Sequence, residues 1–299
     1  MDLLPPIKLS APQTDEFWEI PVLYEDAQLL ALDKPARLLT SPDRYDPERP
    51  NLMRLLHEGI ARGKPWAARR GLTYLANAHR LDFDTSGVLL LAKDKPTLVH
   101  LANQFGSTRT VKRYVALVHG SPTAESFRVD AKLAPHPARP EYIRVDPKRG
   151  RKAITLFRVR ERFAGYALLE CQPLTGRTHQ IRVHLRSQWL PLVGDALYGG
   201  SPLWLSRLKP GYRFKKDRQE IPLMGRAALH AERLEVVHPV TGAPLVIEAP
   251  WPKDLLVALK YLRRFAPGPA GSGLPPGVVP GTEPPAEPLV PPPATEPLI

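Results

Sequence analysis

The stretch that most constrains this chain runs from Ala78 to Lys93, AHRLDFDTSGVLLLAK, where a loop dense in charge leads into an unbroken apolar segment. Val88 to Ala92 offers no polar alternation, so it reads as a strand covered on both faces. The loop before it is then pinned to the edge of a core, which is where a rigid scaffold presents reactive side chains. Asp82, Asp84, Thr85 and Ser86 also have a blander use, because Asp, Ser and Thr cap turns by satisfying backbone donors. Taken alone, the loop is open to both readings.

A strand buried on both faces needs a sizeable domain around it, and 299 residues with 43% hydrophobic content supply one. Further β-rich runs occur at Gln28–Asp33, Gly87–Lys93, Arg113–His119, Ser126–Leu133, Ala153–Val159, Tyr166–Gln172, Leu234–Val237 and Leu245–Ala249. Helical spacing is confined to Leu52–Arg62, Pro96–Phe105, Thr178–Ser187 and Lys253–Phe265. These are too few helices to cover both faces of a parallel sheet, so an α+β domain with a mixed, largely antiparallel sheet is expected.

The folded domain is placed at residues 20–265. Residues 1–19 lack periodicity and are expected to form an N-terminal arm, and 266–299 a disordered Pro-rich tail. That tail holds 12 of the 36 prolines, three glutamates and no basic residue. The whole chain carries 42 basic and 30 acidic side chains, a net charge of +12, so removing the tail's three acids leaves the rest at +15. A positive field of this size favours polyanions without saying which. One cysteine, Cys171, excludes an internal disulfide and a thiolate-rich metal site. With no secretory leader or long apolar span legible, a cytoplasmic protein without membrane contact is expected.

Six ordered segments together are similar to one known family. The loop HRLDxxTSGxLLLAK resembles the signature of the RluA-type RNA pseudouridine synthases. LYEDAQLLALDKPARLL (Leu23–Leu39), KRYVALVHG (Lys112–Gly120) and KAITLF (Lys152–Phe157) resemble further motifs of that family. So do PLTGRTHQIRVHL with PLVGDALYG (Pro173–Gly199) and LHAERLEVVHPVTGAPLVIEAPWPKD (Leu229–Asp254). The resemblance implies the pseudouridine synthase fold, with a central catalytic cleft and flanking helices. It also implies an isomerase that converts uridine to pseudouridine in ribosomal or transfer RNA with no cofactor and no metal. A monomer with RNA, and not DNA, as partner is expected.

Residue by residue, the resemblance makes Asp82 the catalytic acid, acting on C1′ or on a ribose proton. It pairs Asp82 with Arg182 and inserts Arg80 where the target base is flipped out. Tyr114 is set against the flipped uracil, as a candidate for removing the C5 proton. His79, Arg177, Thr178 and His179 are expected to contact substrate. Each has a plainer reading: an exposed basic helix face for Arg182, a salt bridge for Arg80 and a core aromatic for Tyr114. The lead-in TGRT is read as a capped helix start able to receive a phosphate. The loop Ser201–Gly225, with Trp204, Tyr212 and Phe214 among its basic residues, is a candidate RNA-binding surface. Arg37 departs from the small residue usual in this turn, so a different backbone is expected there. A noncatalytic RNA-binding module and a hydrolase using Asp82 with Asp84 are the competing classes.

Overall fold

The computed structural model describes residues 4–43, 46–107, 109–214 and 219–268. Strands β1 (Ile7–Ala11) and β2 (Glu16–Ile20) pair as a hairpin. The main sheet begins with β3 (Val22–Glu25) and β4 (Leu29–Lys34). Helices α1 (Leu52–Ala61) and α2 (Pro65–Ala68) precede β5 (Ala76–Asn77) and β6 (Ser86–Ala92). After α3 (Lys95–Phe105) come β7 (Val111–His119), β8 (Ser126–His136), β9 (Arg139–Val145), β10 (Arg151–Phe163) and β11 (Tyr166–Pro173). Helices α4 (Gln180–Ser187) and α5 (Leu205–Leu208), strands β12 (Leu229–Val237) and β13 (Pro244–Glu248), and α6 (Lys253–Phe265) complete the fold.

The strands lie in the order β3-β4-β6-β12-β7-β11-β10-β8-β9, with β13 also on β12 and β5 also on β6. Pairing is antiparallel throughout except at the centre, where β6 and β12 run parallel, His230 opposite Ser86 and Ala231 opposite Gly87. Their approach depends on a missing Cβ. Gly87 has φ +109, and a side chain there would overlap the Ala231 carbonyl. As the unbroken apolar run implies, all seven residues of β6 are buried.

Alternation along the strands feeds two layers. Leu30, Leu32, Leu89 and Leu91 join Leu52, Leu56 and Trp66 of α1 and α2 on one face. On that face too, Ile181 and Leu185 of α4 meet Leu169, Cys171 and Leu229. Leu29, Ala31, Val88 and Leu90 face the other way, toward Leu101 of α3, while α6 packs Leu255, Leu259 and Leu262 against Val115, Leu117 and Leu168. Helices α1, α2, α3, α4 and α6 cover the apolar stripes left by the strands, the α+β arrangement expected.

The amino-terminal segment differs from the expected arm. Ile7, Leu9 and Ala11 alternate with exposed residues, and the hairpin buries them with Ile20 in the α1 layer. A five-residue alternation flanked by prolines is too short to stand out as a strand. At the other end Ala266 and Pro267 still belong to the fold, through Ala164 N–H to Ala266 O (2.9 Å) and a bridge from Phe163 to Pro267. Residues 269–299, most of the expected tail, lie outside the described residues.

Candidate active site

The loop joining β5 to β6 carries Asp82, and its backbone is fastened at successive residues. Thr40 Oγ1 donates to Leu81 O (2.9 Å) and accepts from Leu81 N–H (3.1 Å). Arg37 N–H donates to Phe83 O (2.7 Å), Thr85 N–H to Asp82 O (3.1 Å), and Arg226 Nη1 to Asp84 O (2.8 Å). Arg226 is buried and held by Asp254 at 2.7 Å. A loop with this many clamps holds its side chains in one geometry, as a reaction requires.

Arg37 has φ +61, the left-handed conformation that glycine adopts without strain. The arginine takes up the strained shape itself, and the Phe83 hydrogen bond and the buried Lys34 beside it hold the turn. Lys34 Nζ donates to Pro35 O (2.7 Å) and Leu38 O (2.6 Å). Burial lowers its pKa to about 7, against the opposing pull of the Asp82 charge.

Asp82, Arg80 and His79 share one cleft with Tyr114, Arg177, Thr178, His179 and Arg182, so the sequence candidates converge on a cavity of about 250 Å³. Asp84 does not line it. Arg182 Nη1 lies 3.6 Å from Asp82 Oδ2, and among the described residues it is the only cation within ion-pair range of that carboxylate. Arg182 is buried rather than part of an exposed basic face, with Arg186 one turn on left at the surface over Trp189.

The stronger partner of Arg182 is Asp195. Nε and Nη2 each donate to its carboxylate at 2.7 Å, a bidentate pair that leaves Nη1 aimed at Asp82. The Tyr198 ring lies 4.8 Å from the guanidinium carbon. Burial works against the charge, yet the Asp195 hydrogen bonds and the Asp195 and Asp82 charges outweigh it, so the arginine's pKa is raised. Sequence reading missed Asp195 although it lies in PLVGDALYG. Its position after Gly194, where a Cβ would overlap the Arg226 carbonyl, was the available signal of a tightly packed turn.

The helix start at α4 differs from the capped TGRT expected. His179, at φ +53, is the cap residue and makes no side-chain cap bond, while Thr178 is exposed. Gln180 organises the turn instead: its Oε1 accepts from Thr175 Oγ1 (2.7 Å) and Arg177 N–H (3.0 Å), and its Nε2 donates to Ile154 O (2.9 Å). His179 Nδ1 meets Tyr198 Oη at 2.8 Å. Arg177 Nε donates to Lys152 O at 3.1 Å.

Tyr114 is partly buried on β7, with burial foremost and the Asp82 charge second in raising its pKa. The phenol therefore stays protonated at neutral pH, and proton removal by a phenolate is disfavoured. Its side chain lines the cleft. Lys112, two residues earlier and so on the same strand face, also lines the cleft. Alternation in KRY could have revealed it. His79 is neutral, burial lowering its pKa to about 3; it stacks on Phe105 at 4.6 Å and accepts from Leu90 N–H at 2.9 Å. Arg80 is exposed at the mouth. Of the 201–225 loop, residues 215–218 lie outside the described residues, and Tyr212 and Phe214 meet edge to face at 5.2 Å.

Residues 28–187 match the family model described as RNA pseudouridylate synthase. The ribosomal large subunit pseudouridine synthase D of Xylella fastidiosa is 37% identical over 265 residues, covering 88% of this chain and 75% of that protein. An uncharacterized RNA pseudouridine synthase of a Synechocystis strain is 35% identical over 249 residues, 82% of this chain and 70% of its own. The fold is similar to the solved human RNA pseudouridylate synthase domain containing 4, with a TM-score of 0.60 and 23% identity over 81% of this chain and 92% of that one.

Proposed function

The chain belongs to the RNA pseudouridylate synthase family, isomerases acting on RNA, and from that premise we propose that it isomerises uridine in large-subunit ribosomal RNA with Asp82 as the catalytic acid. The observation that carries the reading is the chain Asp195–Arg182–Asp82, in which a buried carboxylate fixes an arginine so that its free edge faces a single cleft carboxylate. The ribosomal substrate rests on the names of the similar proteins, the synthases D among them.

A carboxylate left in such a cleft would drift toward its neutral form without a cation beside it. Arg182 supplies that cation, and the Asp82 carboxylate either adds to C1′ or removes a ribose proton. The C1′–N1 bond breaks, the uracil turns, and C5 joins C1′, which releases the Asp82 carboxylate from C1′ or follows return of the ribose proton, while the C5 proton leaves and N1 takes one up. Atoms balance, and no redox carrier or nucleoside triphosphate enters. Tyr114 gives the uracil a face to stack on, with its phenol kept neutral. Arg80, exposed at the mouth, fills the space the uridine vacates when it leaves the RNA stack. Arg177 and Thr178, at the cleft wall, meet the flanking phosphate and sugar.

The test is a pseudouridine map of cellular RNA from cells with the gene, without it, and complemented with Asp82→Asn. Loss of ribosomal sites that wild type restores and Asp82→Asn does not is the expected result. Restoration by Asp82→Asn removes that residue from its role, and a vanished transfer-RNA site moves the substrate assignment.

A further inference from the structure

Between the β1–β2 hairpin and helices α1 and α2 lies a second cavity of about 460 Å³, larger than the catalytic cleft. Its floor is apolar. Leu9, Leu55 and Trp66 are buried there, and Gly59 lacks a Cβ because the Trp66 indole lies against that position. Phe17 stands on the rim with 62% of its surface exposed, a large apolar side chain the core does not use.

The rim also carries four cations. Lys8, Arg62, Lys64 and Arg69 line it, and its one carboxylate, Glu58, is already engaged by Arg54 at 3.1 Å and Arg62 at 3.9 Å. Among the described residues Lys8, Lys64 and Arg69 have no carboxylate within 4.0 Å. An apolar ligand would leave these charges unused, whereas a flat base carrying phosphate satisfies both halves of the site.

The cavity and the catalytic cleft also share a layer of the fold. Leu9, Leu55 and Trp66 belong to the hydrophobic layer that includes Leu81, the residue before Asp82, with Tyr114 packed against it. Helices α3 and α6 pack against the opposite face of the sheet. Through Leu81 and Tyr114 one wall of the cleft therefore borders the layer that floors this cavity.

We propose that the cavity is a second RNA subsite, taking an unpaired nucleotide of the substrate molecule, its base against Phe17 and the Trp66 floor and its phosphates on Lys8, Arg62, Lys64 and Arg69. This rests on the reading of the chain as an enzyme of ribosomal RNA, and it adds a contact that selects among uridines by what lies beside them.

Filter binding of the full chain to a transcribed large-subunit ribosomal RNA fragment, across a salt series, tests the subsite without requiring turnover. Phe17→Ala is expected to weaken binding at least about fivefold, the range that stacking of one base gives. The double variant Arg62→Gln/Arg69→Gln is expected to flatten the log-log salt slope by about 1.4, or ~0.7 per lost phosphate contact. Arg264→Gln, on α6 at the opposite face, serves as the control and is expected to bind as wild type. Unchanged affinity and slope in both rim variants overturn the proposal. So does Phe17-dependent binding of a synthetic 269–299 peptide with RNA affinity untouched, because that acidic, Pro-rich segment is the rival occupant. Wild-type protein that forms no pseudouridine in the fragment, while Phe17→Ala still loses binding, refutes the reading of the reaction and leaves the subsite standing.

Discussion

Arg182 is held between two carboxylates of unequal standing. Asp195 is buried and bidentate, and Asp82 is reached by the one nitrogen left over. Removing the buried acid leaves an uncompensated charge, which costs about 3–5 kcal/mol in sites of this kind. Asp195→Ala is therefore expected to lower the urea unfolding free energy by that amount and to slow turnover. A stability equal to wild type would mean Arg182 finds its support elsewhere. At the cleft mouth, Arg80→Ala is expected to slow pseudouridine formation more on a folded RNA than on an unstructured oligonucleotide, because only the first has stacking to replace. Equal slowing on both, in parallel single-turnover assays, would separate Arg80 from base extrusion. Asp82, Arg182 and Tyr114 were legible because their motifs are compact. Asp195 was not, because its role exists only once a turn after α4 folds back onto that helix.

Three histidines tie elements together while neutral. His79 accepts from the β6 backbone, His184 meets Thr155 of β10 at 2.9 Å, and His230 meets Ser86 of β6 at 3.0 Å. Burial lowers their pKa values to about 3, 4 and 4. A histidine held neutral in the fold takes up its proton more readily when unfolded, so the unfolded state gains protons as pH drops below about 6.5. Stability is then full above that pH and lost on acidification toward 4. The melting temperature should fall steadily across this window, with His184→Gln flattening the fall; a level profile from pH 7 to about 4 would contradict the assignment. The elements themselves were readable where a long period or apolar run marked them: α6 was placed to the residue, and β6 and α3 within one. The β1–β2 hairpin, β3 and β9 escaped, because short strands gain their identity from the neighbours they pair with rather than from local pattern. The α4 cap escaped for a similar reason, since Gln180 bonds to β10, which is remote in sequence.

The positive charge behind the net +12 is carried by residues before 266, the segment 266–299 being acidic. RNA affinity is therefore expected to fall linearly with the logarithm of salt concentration, by ~0.7 for each phosphate contacted in a single-stranded region. Binding insensitive to salt between about 50 and 300 mM would show that the positive field is not used. The parallel pairing of β6 with β12 has a consequence of timing. Ser86 and His230 are 144 residues apart, and loop closure over such a separation comes late in folding. During synthesis the segment bearing Asp82 leaves the ribosome long before the strand that locks it, or the Arg226 clamp that fixes Asp84, has been made. A nascent chain thus holds the acid proposed to react in a loop without form, surrounded by the very class of RNA it is proposed to modify, until β12 has been made and has paired with β6.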